Sequence, residues 1–234
     1  NNHFGFEVLV GSQNNLLQGN YIGTDATGLV ALGNINGGAV FWGAGTGNVF
    51  GGSTAGARNV IAGSTFNGVV VGNASTGATI QGNYIGVGAD GVTVLANGGA
   101  GVRVELGSTG TLVGTNLDGS NDGAERNIIA GNGTSGVVID GAATTGTLLR
   151  GNWIGLDAGG NARGNAQAGV MLSASASNNM IGGTAAGAGN TIAYNGWDGI
   201  RLSGTGTGNA FLGNSLYGNV EQAIDIGAQG VTLI

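Results

Sequence analysis

The sequence predicts an all-β solenoid of about seven to eight coils, each made of three short strands. Three observations carry that prediction. Apolar triplets, each preceded by Gly or Ala in most cases, recur every 24 to 35 residues, starting at Val8, Val40, Val69, Val102, Val137, Val170, Ile200 and Ile224. Two further strand-like stretches fall between successive triplets, as in Asn15–Gln18 followed by Asn20–Gly23. No segment sustains the i, i+3, i+4, i+7 spacing of an amphipathic helix, so turns must join the strands.

Composition fits this architecture and excludes several functions. The 234 residues include 54 glycines and no proline or cysteine. Regular Val, Ile and Leu triplets argue against disorder, so the glycines read as turn residues where φ is positive or two backbones come close. The net charge is -6, with six basic residues, all arginine and none clustered, so nucleic acid is not an expected partner. The apolar runs are far shorter than the roughly 20 residues of a membrane span. With no cysteine and one histidine, His3, zinc sites and Cys/His nucleophile pairs are excluded, and without lysine so is a P-loop.

The first strand of each coil supplies the core. Side chains alternate along a strand, so each triplet sends its outer two residues inward, giving columns from Val8 to Ile224 and from Val10 to Ile226, with Trp42 the oversized member. Its outward column is expected to run Leu9, Phe41, Val70, Arg103, Val138, Met171, Arg201, Asp225. Two residues further on lie Gly11, Gly43, Gly72, Glu105, Asp140, Ser173, Ser203 and Gly227. The third strand carries the sharpest signal. Asn20, Asn59, Asn83, Asn127, Asn152, Asn190 and Asn214 each stand two residues before an Ile or, at 216, a Leu. Stacked coils would set these asparagines about 4.8 Å apart, where each can hydrogen-bond its equivalents above and below. Odd coils insert a loop after this strand, even coils one before the asparagine. The repeating unit is therefore a pair of coils, which is why GNYIG at 19–23 returns at 82–86 and, as GNWIG, at 151–155.

With this asparagine row the chain resembles the right-handed parallel β-helix of the pectate lyase superfamily over nearly its whole length. GNYIGTDATG, IGGTAAGAGN and GNSLYGNVEQAIDIGAQGVT resemble repeats of large bacterial secreted or cell-surface proteins. The resemblance implies residues 1–234 as one β-helix domain within a longer chain, located outside the cell or on its surface. In that family a Pro- and Asp-rich stretch is expected after Val231, where this sequence reads VTLI.

Candidate functional residues lie on outward faces. Arg103, Glu105 and Asp140 fall together on adjacent coils, and Arg201 neighbours Asp225. Two close carboxylates can share a proton or a cation. The superfamily resemblance implies an arginine base with carboxylates holding Ca²⁺, which would make Arg103 the base; the alternative is a set of solvated ion pairs. On the third strand, Tyr21, Tyr84 and Trp153 recur on alternate coils, roughly 10 Å apart, with Gln18, Gln81 and Arg150 nearby. They either stack against a polysaccharide or are buried under the odd-coil loops. Asp118, Asp122 and Glu125 form the densest acidic stretch and are the candidates for Ca²⁺, the one ion considered; Asp25, Asp90 and Asp157 sit in the odd-coil loops. No other cofactor is expected.

Three functions follow as expectations: a non-catalytic extracellular spacer, adhesin or polysaccharide-binding segment, a polysaccharide lyase or glycoside hydrolase, and a subunit that stacks end to end. The partners would be polysaccharide, other surface proteins or further copies of the chain.

Overall fold

A computed structural model describes residues 2–227. Short parallel strands stack into three sheets, of eight, seven and seven strands. The first sheet contains Phe4–Val8, Gly37–Trp42, Val69–Gly72, Val102–Val104, Val137–Asp140, Val170–Ser173, Ile200–Leu202 and Ile224–Ile226. The second runs from Leu16–Leu17 to Ala210–Leu212, and the third from Tyr21–Ile22 to Ser215–Tyr217. Each strand pairs with its equivalent one coil away, which is the right-handed parallel β-helix. One 3₁₀ turn, Ala55–Ala57, is the only helix among the described residues. No helix among them is long and apolar enough to cross a membrane.

The core is the axial stack of inward side chains. Val69, Val71, Ile80, Ile85, Val102, Val104, Val113, Ile129, Ile139, Leu149 and Ile154 are fully buried in one continuous cluster. Phe41 and Phe50 meet edge to face at 6.1 Å within it. The asparagine row forms as the sequence predicts. Each Nδ2 donates to the next Oδ1, from Asn20 through Asn59, Asn83, Asn127, Asn152 and Asn190 to Asn214, at 2.9–3.1 Å.

A second ladder runs after the third strand, with Asn97, Asn132, Asn165, Asn195 and Asn219 bonded amide to amide at 2.9–3.0 Å. These buried amides spend their polar groups on one another and on backbone carbonyls, so a solenoid with little charge inside can turn sharply at two corners without stranding donors.

Loop placement has a backbone cause. In even coils the glycine ending the second strand takes positive φ: +95° at Gly51, +104° at Gly114 and +89° at Gly182. A Cβ there would lie within 2.0 Å of the next coil's carbonyl oxygen. Odd coils make the same turn after the third strand, at Gly23, Gly86 and Gly155. Thus in these coils the inserted loop leaves directly after this left-handed glycine.

The register departs from expectation in the first two coils. Phe6, Glu7 and Val8 pair with Ala39, Val40 and Phe41, and Ala39, Val40 and Phe41 with Val69, Val70 and Val71. Hence Ala39 and Phe41 point inward, and Trp42 lies on the outer face at 37% exposure instead of filling the core. Val10, expected inside, is 75% exposed. The outward column therefore opens Glu7, Val40, Val70, Arg103, and in the next column Trp42 pairs with Gly72. The physical reason is size: the observed register puts Ala39 and Phe41 inside beside Phe50, whereas the slipped one would put the larger Val40 and Trp42 there.

Candidate functional site

The outer face of the first sheet holds a cleft of about 460 Å³. Its walls include Phe4, Trp42 and Phe66, its floor Val40 and Val70, and its polar groups Glu7 and Glu105. Alternation along the strands creates it, since Glu7, Val40 and Val70 face outward in one register. Gly72 makes it possible: a Cβ there would come 2.8 Å from Trp42 Cζ3 and 3.6 Å from Glu105 Cγ. The missing side chain lets the indole lie across the neighbouring coil. Glu7 forms no ion pair among the described residues, so the cleft combines an apolar aromatic surface with one free carboxylate.

Beside the cleft the structure brings Arg103, Glu105 and Asp140 together, as their columns require. The Arg103 Nε bonds Glu105 Oε2, and Nη2 reaches Asp140 Oδ2 at 3.1 Å. Asp140 Oδ1 in turn accepts from the Ser173 hydroxyl. The two carboxylates are thus bridged by a guanidinium. Arg103 is committed to both of them, which leaves it poorly placed to act as a base. The later pair is also a cluster: Arg201 meets Asp198, Glu221 and Asp225 at 3.2, 3.6 and 3.8 Å.

The aromatic row on the third sheet forms but is largely covered. Tyr84 and Trp153 are half-buried against Val87, Ile128 and Ala130. The Arg58 guanidinium carbon lies 4.1 Å from the Tyr84 ring centroid, and that of Arg126 lies 4.5 Å from the Trp153 ring. Burial draws the Arg126 guanidinium below its usual pKa. Tyr21, which has no such arginine, stays 48% exposed. Gln81 is buried and donates Nε2 to Glu125 Oε1 at 2.6 Å, while Arg150 sets Nη2 3.9 Å from the Met180 sulfur. The arginine caps escape a reading of single coils because arginine and ring belong to successive coils. The signal was the Arg-Asn pairs 58–59 and 126–127, each one coil before an aromatic.

The acidic candidates do not converge. Glu125 is buried, with its oxygens on Gln81 and on the backbone N–H of Asn116. Asp118 accepts from Ser120 N and Asn116 Nδ2, and Asp122 accepts from Gly119 N. No group of three His, Cys, Asp or Glu able to hold a metal occurs among the described residues. Asp25, Asp90 and Asp157 each accept backbone N–H groups of their own loops. At Asp157 burial pushes the carboxyl up, but the Asn161 backbone N–H, the Asn161 amide, the Gly159 N–H and Arg163 together hold it below the usual range.

A family model described as periplasmic copper-binding protein (NosD) matches residues 53–232. No curated protein sequence matches the chain. Among solved structures, two crystal structures of mutants of the periplasmic alginate epimerase AlgG are similar to it. One is 14% identical with a TM-score of 0.47, over 84% of this chain and 45% of that one. The other is 14% identical with a TM-score of 0.40, over 82% of this chain and 47% of that one. The chain spans about half the length of these structures.

Proposed function

The chain belongs to the periplasmic copper-binding protein (NosD) family, and we propose that it is a non-catalytic, glycan-binding β-helix of the bacterial cell envelope. The observation that carries the reading is the cleft on the first sheet, where Phe4, Trp42 and Phe66 offer apolar faces and Glu7 a hydrogen-bond acceptor. Sugar rings present just such mixed faces, with C–H groups on one side and hydroxyls at the edge.

The arrangement of carboxylates supports binding over cleavage. Glycoside hydrolysis needs two carboxyl groups about 5 to 10 Å apart. Glu7 and Glu105 both line the cleft, but the register puts them three strands apart, about 14 Å across the sheet before the offset along it is added. Glu105 and Asp140 are closer together, yet Arg103 ties both.

The family description raises copper, and the residues of this chain do not fit it. Copper favours thiolate, thioether and imidazole ligands. The chain has no cysteine, one histidine and two methionines. His3 lies outside the matched stretch, Met171 belongs to the first sheet, and Met180 in the second sheet faces the Arg150 guanidinium.

The test is to incubate the protein with a panel of neutral and acidic polysaccharides, measuring new reducing ends and unsaturated products, and to run it through gels containing each polymer. Retardation by at least one polymer, weakened by Trp42→Ala and without product, is the expected result. Product formation that Glu105→Ala abolishes would overturn it in favour of a lyase or hydrolase.

A further inference from the structure

We infer that Arg58 and Arg126 form a second binding site, for the carboxylate groups of an acidic polysaccharide, beside the N-terminal ends of inner strands of the third sheet. The site does not rest on the cleft of the first sheet.

The two arginines are built alike. Each precedes a row asparagine in an even coil, and each lays its guanidinium on the ring that follows the row asparagine of the next coil, Tyr84 or Trp153. Each Nε is fixed on a backbone carbonyl, Gly82 O at 3.1 Å and Gly151 O at 3.2 Å. The terminal amino nitrogens make no hydrogen bond among the described residues, so each fork is held flat and open.

Charge pairing sets these residues apart. Arg103, Arg163 and Arg201 meet carboxylates within 4 Å, whereas Arg58, Arg126 and Arg150 meet none among the described residues, and of these three only Arg58 and Arg126 lie on an aromatic ring, Arg150 facing the Met180 sulfur. Glu125, the acid next to Arg126 in sequence, is turned to Gln81 and Asn116. Asp118 and Asp122 accept hydrogen bonds within their own loop.

Arg58 and Arg126 line one pocket with Tyr84, Trp153, Gly123 and Ala124, and its volume of about 150 Å³ admits a carboxylate and little more. An open guanidinium fork matches a planar carboxylate with two parallel hydrogen bonds. The arginines stand two coils apart, about 10 Å along the axis. A linear polyuronate, with one acid on each sugar and a residue length close to the rise of one coil, can reach both; a small anion cannot gain from the spacing in this way.

The test uses affinity electrophoresis in gels containing polygalacturonate, with its methyl-esterified form as the uncharged match. Because the chain carries a net charge of -6, retardation by a polyanion requires a local site. We expect retardation in the acid polymer alone, falling as salt rises. Arg58→Gln and Arg126→Gln should each weaken it about tenfold, since a charge-assisted hydrogen bond contributes on that scale. Arg163→Gln, which removes an arginine already paired with Asp157, should leave it unchanged.

Equal retardation of both arginine variants and the parent, or equal retardation in the esterified gel, would overturn the inference. So would galacturonic acid monomer, titrated against Trp153 fluorescence, binding as tightly as the polymer. If Arg126→Gln fails to fold, Arg58→Gln carries the test alone, and Arg126→Lys, which keeps the charge but loses the fork, should bind more weakly than the parent.

Discussion

Replacing Asn127 by alanine tests whether the asparagine row supports the solenoid. Asn127 is fully buried mid-row. Its Nδ2 donates to Asn152 Oδ1 at 2.9 Å and to Ile80 O at 2.8 Å, and its Oδ1 accepts from the backbone N–H and the Nδ2 of Asn83 at 2.9 and 3.1 Å. In the alanine variant, Asn83 Nδ2 keeps Phe50 O, and Asn152 Oδ1 keeps the Asn127 backbone N–H. The Asn83 N–H is left buried with no partner, and the Ile80 carbonyl loses one of its donors. At about 1–3 kcal/mol for the stranded N–H and about 1 kcal/mol for the lost bond, the variant should lose about 3 kcal/mol. Asn20→Ala provides the internal comparison. Asn20 is exposed at the end of the row and donates only to Asn59 and to the Gln18 carbonyl, so its loss should cost about 1 kcal/mol or less. Urea unfolding followed by circular dichroism and tryptophan fluorescence measures both, and hydrogen exchange at the Asn83 amide reports the break locally. Asn127→Ala within 1 kcal/mol of Asn20→Ala would refute the idea that the row's value lies in satisfying buried backbone.

Three further outcomes follow from the same structure. Phe41→Ala should cost about 3–5 kcal/mol in urea unfolding, and Trp42→Ala about 1 kcal/mol; the reverse order would contradict the register described for the second coil. Gly114→Ala should cost at least about 2 kcal/mol or prevent folding, because φ is +104° and the new Cβ would sit 1.8 Å from Arg150 O, and unchanged thermal stability would contradict that turn. Asp157 titrates below its ordinary value in the folded chain, so its stabilisation is complete above the unfolded pKa and is lost as pH falls through the folded one. The melting temperature should therefore drop below about pH 4, and Asp157→Asn should flatten that drop; parallel pH profiles would argue against the loop-cap role.

Much of the fold was legible because its signals are local and repeated. The asparagine two residues before an isoleucine occurs in nearly every coil, and the alternating loop positions follow left-handed glycines that the spacing already marks. Register in the first two coils was not legible. Val8-Leu9-Val10 and Val40-Phe41-Trp42 are each apolar throughout, so hydrophobicity does not distinguish one face from the other, and a one-residue slip exchanges them. The second amide ladder was hidden because Ser64 interrupts its asparagines and no fixed isoleucine follows them. The columns did bring Arg103, Glu105 and Asp140 together, yet that the guanidinium bridges the carboxylates is a matter of side-chain direction. The cleft itself escaped notice because it depends on the corrected positions of Glu7, Val40 and Trp42 and on the gap at Gly72.

The proposed function places glycan in the Trp42 cleft. Its most direct test is a fluorescence titration of a Trp153→Phe, Trp197→Phe variant, in which Trp42 is the only indole left, against oligosaccharides from the polymers that retard the parent chain. A saturable change at Trp42, abolished by Gly72→Leu, which would fill the space the indole occupies, is the result predicted. No change at Trp42 with any glycan that the intact protein binds would contradict the claim.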